Sequence, residues 1–266
     1  MSLNFGAFLR KAWGQPLAHG IDLNGPDAVL AHRRIIDSNR VLRAHYMRWY
    51  RECLPAVEET RHLTGDIVEI GSGAGFLDQV IPKLVKTDSV QNQLSHRVVD
   101  AMKLPFADSS LRALFLIGVL HHIPHPAKFL SEAQRCLRPG GRLVMLEPHN
   151  SWPQRFLCRL LEHYEYFDDA VKEWTNEGSG RMTQANMALP WVIFIRDRAR
   201  FEKEFPALKI LRIRYHTLLS YILSGGMSFR PFIPAMALPL VATVECAARP
   251  LMRWAGTMMT IDVEKK

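Results

Sequence analysis

The sequence of 266 residues predicts an α/β fold, a mostly parallel sheet with helices covering both faces. Three observations carry this expectation. Strand-like runs alternate with helix-like runs from residue 66 to residue 146. The run at 111–119 is apolar throughout, as a strand buried on both faces requires. The first strand-like run ends directly in Gly71-Ser72-Gly73-Ala74-Gly75, a place where such sheets turn sharply out of a strand.

The elements follow in order. Asp27, after Pro26, reads as an N-cap and opens a helical stretch that extends to about His62. Leu30, Ile35, Ile36, Leu42, Met47, Tyr50, Leu54 and Val57 fall near helical spacing within it. Pro55 lacks the amide that a helix interior needs and divides the stretch in two. Residues 66–70 form a short strand and 76–81 a helix, whose first amides and dipole would face the glycine loop. Strands at 84–87 and 97–99 end at Asp88 and Asp100. The 111–119 strand leads to an amphipathic helix at 126–137, closed by Arg138-Pro139-Gly140-Gly141, and then to a strand at 142–146. Alternation stops after Pro148 and resumes with a helix at 191–205 and a strand at 209–215, while 257–263 closes the sheet. No internal repeat is present.

Composition narrows the class. With 48% hydrophobic and 23% charged residues, the chain has the apolar content a packed core needs. Sixteen Gly and sixteen Pro exclude collagen-like and low-complexity readings. Cys53, Cys136, Cys158 and Cys246 form no C-x-x-C pair, which suits a reducing compartment rather than a disulfide framework. The net charge is +8, and from Arg196 onward 12 Lys/Arg stand against 6 Asp/Glu, a net of +6. The densest basic stretch, Arg196-Asp197-Arg198-Ala199-Arg200, reads as a solvated helix face. Arg10-Lys11 interrupts the N-terminus before any leader-like apolar region develops. The uncharged stretch 231–244 has fourteen residues and three prolines, less than a spanning helix needs. A cytoplasmic protein is expected, with peripheral membrane contact left open.

The glycine loop has specific physics. Its spacing is G-x-G-x-G, with Phe76 where a dinucleotide-binding G-x-G-x-x-G would place the third glycine. Glu69 lies in the strand just before it. A carboxylate there repels pyrophosphate and favours a ligand that carries an ammonium and a sulfonium. Four further motifs follow: Asp88; Asp100-Ala101-Met102-Lys103-Leu104-Pro105-Phe106; Val119-Leu120-His121-His122-Ile123; and Leu137-Arg138-Pro139-Gly140-Gly141-Arg142-Leu143. In this order, and over about residues 65–148, the chain resembles the class I S-adenosylmethionine-dependent methyltransferases, especially their type 11 small-molecule group.

The resemblance implies a three-layer Rossmann-like sheet of seven strands, mostly parallel with the last antiparallel. It implies S-adenosyl-L-methionine as cofactor and S-adenosyl-L-homocysteine as its product. Carried over by position, Glu69 and the Gly71 and Gly73 backbone would hold the methionine part, with Ser72, Gly75 and Gly118 beside the cofactor. Asp88 would accept from the ribose hydroxyls and Asp100 from the adenine amine, with Ala101 and Met102 along the ring. Both aspartates also admit a reading as loop or cap residues. Two departures stand out. The link 89–96 is too short for the usual helix, and Arg112-Ala113 stands where the family often has an acid. The implied organisation is a helical cover at 1–62, a cofactor-binding core at 63–148, a substrate-side cap at 149–190, and a completion at 191–266 with an apolar helical insertion at about 217–256.

Methyl transfer asks the protein to align donor and acceptor, exclude water and, for a hydroxyl acceptor, remove a proton. His121, His122 and His149 are the candidate bases, with His216 a further one and Asn150 on the same sheet edge. His121-His122-x-x-His125 invites a metal reading. Neighbouring residues at a strand end face opposite ways, however, so no metal is expected. Residues 149–191 hold seven of the 25 aromatics: Trp152, Phe156, Tyr164, Tyr166, Phe167, Trp174 and Trp191. They would form either the cap's own core or an apolar acceptor site, with Glu177-Gly178-Ser179-Gly180 as a lid loop. In the last insertion Val241, Val244, Ala248, Leu251 and Ala255 mark an apolar face. Glu245, Arg249 and Arg253 mark a charged one, spaced for Glu–Arg pairing. That helix is expected either to pack on the protein or to lie on a membrane surface.

The expected function is methyl transfer to a small-molecule acceptor, apolar or lipid-linked. One rival is a nucleic-acid methyltransferase, favoured by the +8 alone and opposed by the lack of an N/D-P-P-Y-type motif or basic RNA-binding module. Another is a catalytically silent S-adenosylmethionine-binding scaffold.

Overall fold

The computed structural model describes residues 5–18, 20–22, 24–25, 27–160, 165–176 and 185–266. Its strands are β1 (Asp66–Ile70), β2 (Val85–Asp88), β3 (Arg97–Val98), β4 (Leu111–Ile117), β5 (Leu137–Pro148), β6 (Leu208–His216) and β7 (Met258–Lys265). They form one seven-stranded sheet in the order β3-β2-β1-β4-β5-β7-β6. Strands β1 to β5 run parallel, while β7 is antiparallel to both β5 and β6. The α/β class and the antiparallel last strand are as expected.

Alternate residues of the central strands serve two cores, which is why their sequences are apolar throughout. Ile67, Ala113, Phe115 and Val144 point to one face. After α1 (Phe5–Trp13), the helices α2 (Asp27–Ser38), α3 (Arg40–Arg51) and α4 (Leu54–Glu59) meet them there, chiefly through Ile35, Ile36, Leu42, Tyr50 and Ala56. Val68, Leu114, Leu116, Leu143 and Met145 point to the other face, against Phe129, Leu130 and Ala133 of α5 (Pro126–Cys136). Beyond α6 (Trp152–Leu160), the same core takes in Phe194 and Phe201, from the run of α7 (Leu189–Trp191), a π-helical turn (Val192–Arg196) and α8 (Arg198–Glu204). The chain ends with α9 (Ser220–Leu223), α10 (Leu238–Ala247), α11 (Met252–Ala255) and β7.

Four expectations are corrected. The 76–81 helix is only a 3-10 turn, Leu77–Gln79, because Pro82 follows at once and Lys83 turns back with φ 65°. The segment after the loop therefore offers it no α-helix N-terminus. The N-terminal helix breaks at Asn39 as well as before Pro55, since the Asn39 side chain accepts from the Leu42 amide and starts α3 anew. Arg138-Pro139-Gly140-Gly141 belongs to β5, entering it through a shift of register against β4. Finally, Glu245 of α10 is fully buried rather than paired along a surface. It accepts from the amides of Leu218, Leu219 and Ser220 and pairs with Arg48 of α3.

The apolar side chains meant to pack inward, Val244 and Leu251, are instead exposed, together with Met236, Leu240 and Trp254. No single helix among the described residues is long and apolar enough to cross a membrane. The segments Ala235–Ala247 and Arg249–Ala255 together match a span in length and composition but bend by 60°. The basic stretch from Arg196 is neutralised locally, Arg196 by Asp197, Arg198 by Glu202 and Arg200 by Glu204.

Candidate active site

The carboxyl ends of β1, β2 and β4 open into a cavity of ≈ 380 Å³. Its floor is the glycine loop. Ser72 donates its amide to the Thr87 carbonyl at 2.8 Å, and Gly73 donates to Asp88 Oδ2 at 3.0 Å, so the tip of β2 fixes the loop. From the helical cover, Tyr50 Oη accepts the Phe76 amide at 3.1 Å. Gly71 (φ 67°) has no room for a side chain, since a Cβ there would lie 2.8 Å from the Val119 methyls. At Gly73 (φ 46°) a Cβ would meet only the Gly71 carbonyl oxygen, at 3.9 Å, though the positive φ itself favours glycine.

Glu69 lines this cavity, is 2% exposed, and its Oε2 has no hydrogen-bond partner. Burial pushes its carboxyl up to about 8; Lys86 works against the rise, and Asp78 and Asp88 add to it. The Ser72 Oγ is likewise buried without a partner. The floor therefore presents an acid that lacks a cation and a hydroxyl that lacks a partner. Asp88 and Gly118 line the same cavity. Asp100, Ala101 and Met102 lie outside that lining; Asp100 is exposed and its Oδ1 accepts the Met102 amide at 2.8 Å. The structure thus brings Glu69, Gly71, Ser72, Gly73, Gly75, Asp88 and Gly118 together and leaves the other three apart.

The opposite wall carries the histidines. After Gly118 the chain makes a 3-10 turn, Leu120–His122, rather than continuing as a strand. The turn overturns the expectation that His121 and His122 face opposite ways: their rings lie 4.2 Å apart and both reach Glu165. Glu147, fully buried near the end of β5, organises the turn. Its Oε1 accepts the Val119 and Leu120 amides, and its Oε2 lies 2.6 Å from His121 Nδ1. Burial disfavours a charged His121, but Glu147 and Glu165 outweigh it and carry the imidazole up to about 10. Held between two carboxylates that favour its charged form, His121 is poorly suited to act as a free base.

The other candidate histidines are bonded elsewhere. His149 Nε2 contacts the Arg253 carbonyl at 3.1 Å, the ring is outside the cavity lining, and burial lowers its basicity. His216 contacts Thr217 and Thr260, and burial takes it down to about 4. Asn150 donates to Asp169. Glu147 and Glu165 escaped the sequence reading. An acid in the otherwise apolar 143–148 run was the available signal for Glu147, whereas nothing local distinguishes Glu165. The helical cover also contributes Tyr46, Trp49 and Tyr50 to the cavity, as the segment before β6 contributes Met187. Tyr164 and the expected lid at 177–180 lie outside the described residues.

Residues 68–145 match the family model described as a methyltransferase domain. The demethylmenaquinone methyltransferase of Tropheryma whipplei (strain Twist) is 32% identical over 90 residues, covering 27% of this chain and 37% of the relative. The mitochondrial 2-methoxy-6-polyprenyl-1,4-benzoquinol methylase of Drosophila melanogaster is 42% identical over 62 residues, 23% of this chain and 21% of that one. The chain thus spans less than half the length of the curated relatives it matches. Among solved structures, the complex of the Haloferax volcanii Trm112 methyltransferase activator with a methyltransferase aligns at 18% identity and TM-score 0.49, covering 92% of this chain and 98% of the other.

Proposed function

We propose that this chain, which belongs through residues 68–145 to the class I S-adenosylmethionine-dependent methyltransferases of the type 11 group, transfers a methyl group to a small apolar, lipid-linked acceptor. The observation that carries the reading is the glycine-loop floor with Glu69 beneath it. A buried carboxyl without a cation fits a cofactor that brings an ammonium group, and the open space at Gly73 fits its close approach. S-adenosylmethionine, when bound, supplies a methyl group on a sulfonium, already activated for displacement.

The chain's own residues have the remaining work. Glu69 pairs with the ammonium end, and the Gly71 and Gly73 backbone lies along the methionine part. Asp88 keeps the loop in place through the Gly73 amide and offers its carboxylate to the ribose. Asp100, Ala101 and Met102 stand at the end of β3, outside the cavity lining, and reach the adenine only if that edge closes over it. Tyr46, Trp49 and Met187 give the acceptor an apolar enclosure from which water is excluded. His121, His122 and Glu165 form the polar wall against which it is oriented.

A lipid-linked acceptor is supported by the surface beside the cavity. Trp152 of α6 is 74% exposed, Met236 85% and Trp254 67%, with Leu240, Val244 and Leu251 also outward. Arg159, Arg249 and Arg253 are exposed among them. Exposed apolar side chains on elements that also carry exposed cations suit an anionic membrane surface. The printed name of the Drosophila relative includes a polyprenyl benzoquinol, which agrees with this acceptor class. We place the segments 149–190 and 217–256 on the acceptor side accordingly. Co-sedimentation with anionic liposomes should retain the protein, and Trp254→Glu with Leu240→Glu should release it. Wild-type protein left in the supernatant would end the membrane reading. Calorimetry with S-adenosylhomocysteine tests the cofactor site separately.

A further inference from the structure

Among the described residues, His121, His122 and Glu165 each place one ligating atom within 4.8 Å of the others. His122 Nε2 lies 3.1 Å and His121 Nε2 3.4 Å from Glu165 Oε1. A tetrahedral ion with bonds of about 2.05 Å sets its ligand atoms about 3.3 Å apart, between the two observed distances. Behind His121 stands the support that metal-bound histidines require. Glu147 Oε2 accepts a hydrogen bond from the Nδ1–H of a neutral His121, which leaves the Nε2 lone pair on the side of Glu165. Glu147 is itself fixed by two amides, so the ring orientation is set by the fold rather than by a ligand. All three groups line the cavity.

We propose that His121, His122 and Glu165 bind a divalent first-row transition ion of the zinc type, its fourth position facing the acceptor cavity. Two imidazoles and one carboxylate suit such an ion better than magnesium or calcium, which take mainly oxygen ligands. The charges balance: two neutral rings and one carboxylate leave a single positive charge, which Glu147 offsets from behind. Water or an acceptor oxygen is the fourth ligand that the cavity side admits. Ion binding makes no use of the cofactor floor.

The test is titration of chelator-stripped protein with Zn²⁺ and with Co²⁺. One Zn²⁺ per chain is expected, together with the intense visible absorption of tetrahedral Co²⁺ and no thiolate charge-transfer band. Glu165→Gln and His122→Asn should each weaken Zn²⁺ binding by at least about 100-fold, while Glu147→Gln, a positioning change, should weaken it about 10–100-fold. Cys158→Ala should titrate as wild type. No saturable binding by wild type, or unchanged affinity in folded Glu165→Gln and His122→Asn proteins, would overturn the proposal. A cobalt–thiolate band would overturn it too, by placing the ion on a cysteine. The wild-type cobalt spectrum decides the matter even where a variant fails to fold. S-adenosylhomocysteine binding, measured on the same stripped protein, reports the cofactor reading independently.

Discussion

Glu69 is the residue on which most depends, because its protonation links stability to binding. Burial holds its carboxyl near 8 against an ordinary 4.5, so the folded chain keeps a proton that the unfolded chain releases. The contribution of Glu69 to folding stability therefore falls as pH rises from 4.5 through 8, and Glu69→Gln should remove that component from a melting-temperature profile. Cofactor binding works in the other direction. The ligand's ammonium group favours the ionised carboxylate, so affinity for S-adenosylhomocysteine should rise from pH 6 to about 8 in wild type and lose that slope in Glu69→Gln. Asp88 offers a second test. Removing the acceptor of the Gly73 amide in Asp88→Ala should weaken binding roughly 10–100-fold, the range for a hydrogen bond to a charged group. Asp88→Asn, which retains one oxygen, should fall between.

At the level of elements, α10 shows how a helical pattern can be read correctly in period and wrongly in direction. Glu245 sits in a run of mean apolar character, where a surface position would be expected to carry the charge. Inside, three successive amides at 218–220 need an acceptor, and one buried carboxylate satisfies them together. Burial alone would raise this acid, but those amides and Arg48 bring it down to about 2. Its contribution is complete above pH 4.5 and lost as pH falls towards 2. Glu245→Ala strips the acceptor from the amides at 218–220 and should cost roughly 1–3 kcal/mol and lower Tm by roughly 5 °C. The turn after β4 taught a similar lesson. Period-2 logic separated His121 from His122 only because the strand was taken to continue; Gly118 (φ 66°) ends it, and the 3-10 turn gathers the rings.

Across the whole molecule, the legible part was the sheet. The parallel run followed from apolar segments whose alternate residues serve two cores and from the glycine loop that ends β1. The seven strands and the antiparallel last one came from the family resemblance, and the strand order came from the structure. Less legible were contacts between distant segments. Glu147 meets His121 across 26 positions and Arg48 meets Glu245 across 197, and no local spacing encodes either pairing. Glu69 to Gly75 were legible as one group of cavity-lining residues because they lie close together in the sequence. The wall of His121, His122 and Glu165 was legible only in part because it is assembled from a turn and a distant segment. The charge imbalance resolves at this scale as well. Arg212 and Arg214 are tied to Asp262, Glu59 and Glu52 across the sheet and cover, while exposed cations remain around the apolar surface of α6, α10 and α11.

The most direct measurement is calorimetry of S-adenosylhomocysteine with the purified chain and with Gly73→Leu, whose side chain would occupy the open floor. Saturable one-to-one binding by wild type, stronger at pH 8 than at pH 6 and abolished in Gly73→Leu, is the predicted result. No heat at millimolar ligand, or the same affinity in Gly73→Leu, would contradict a cofactor site on the glycine loop.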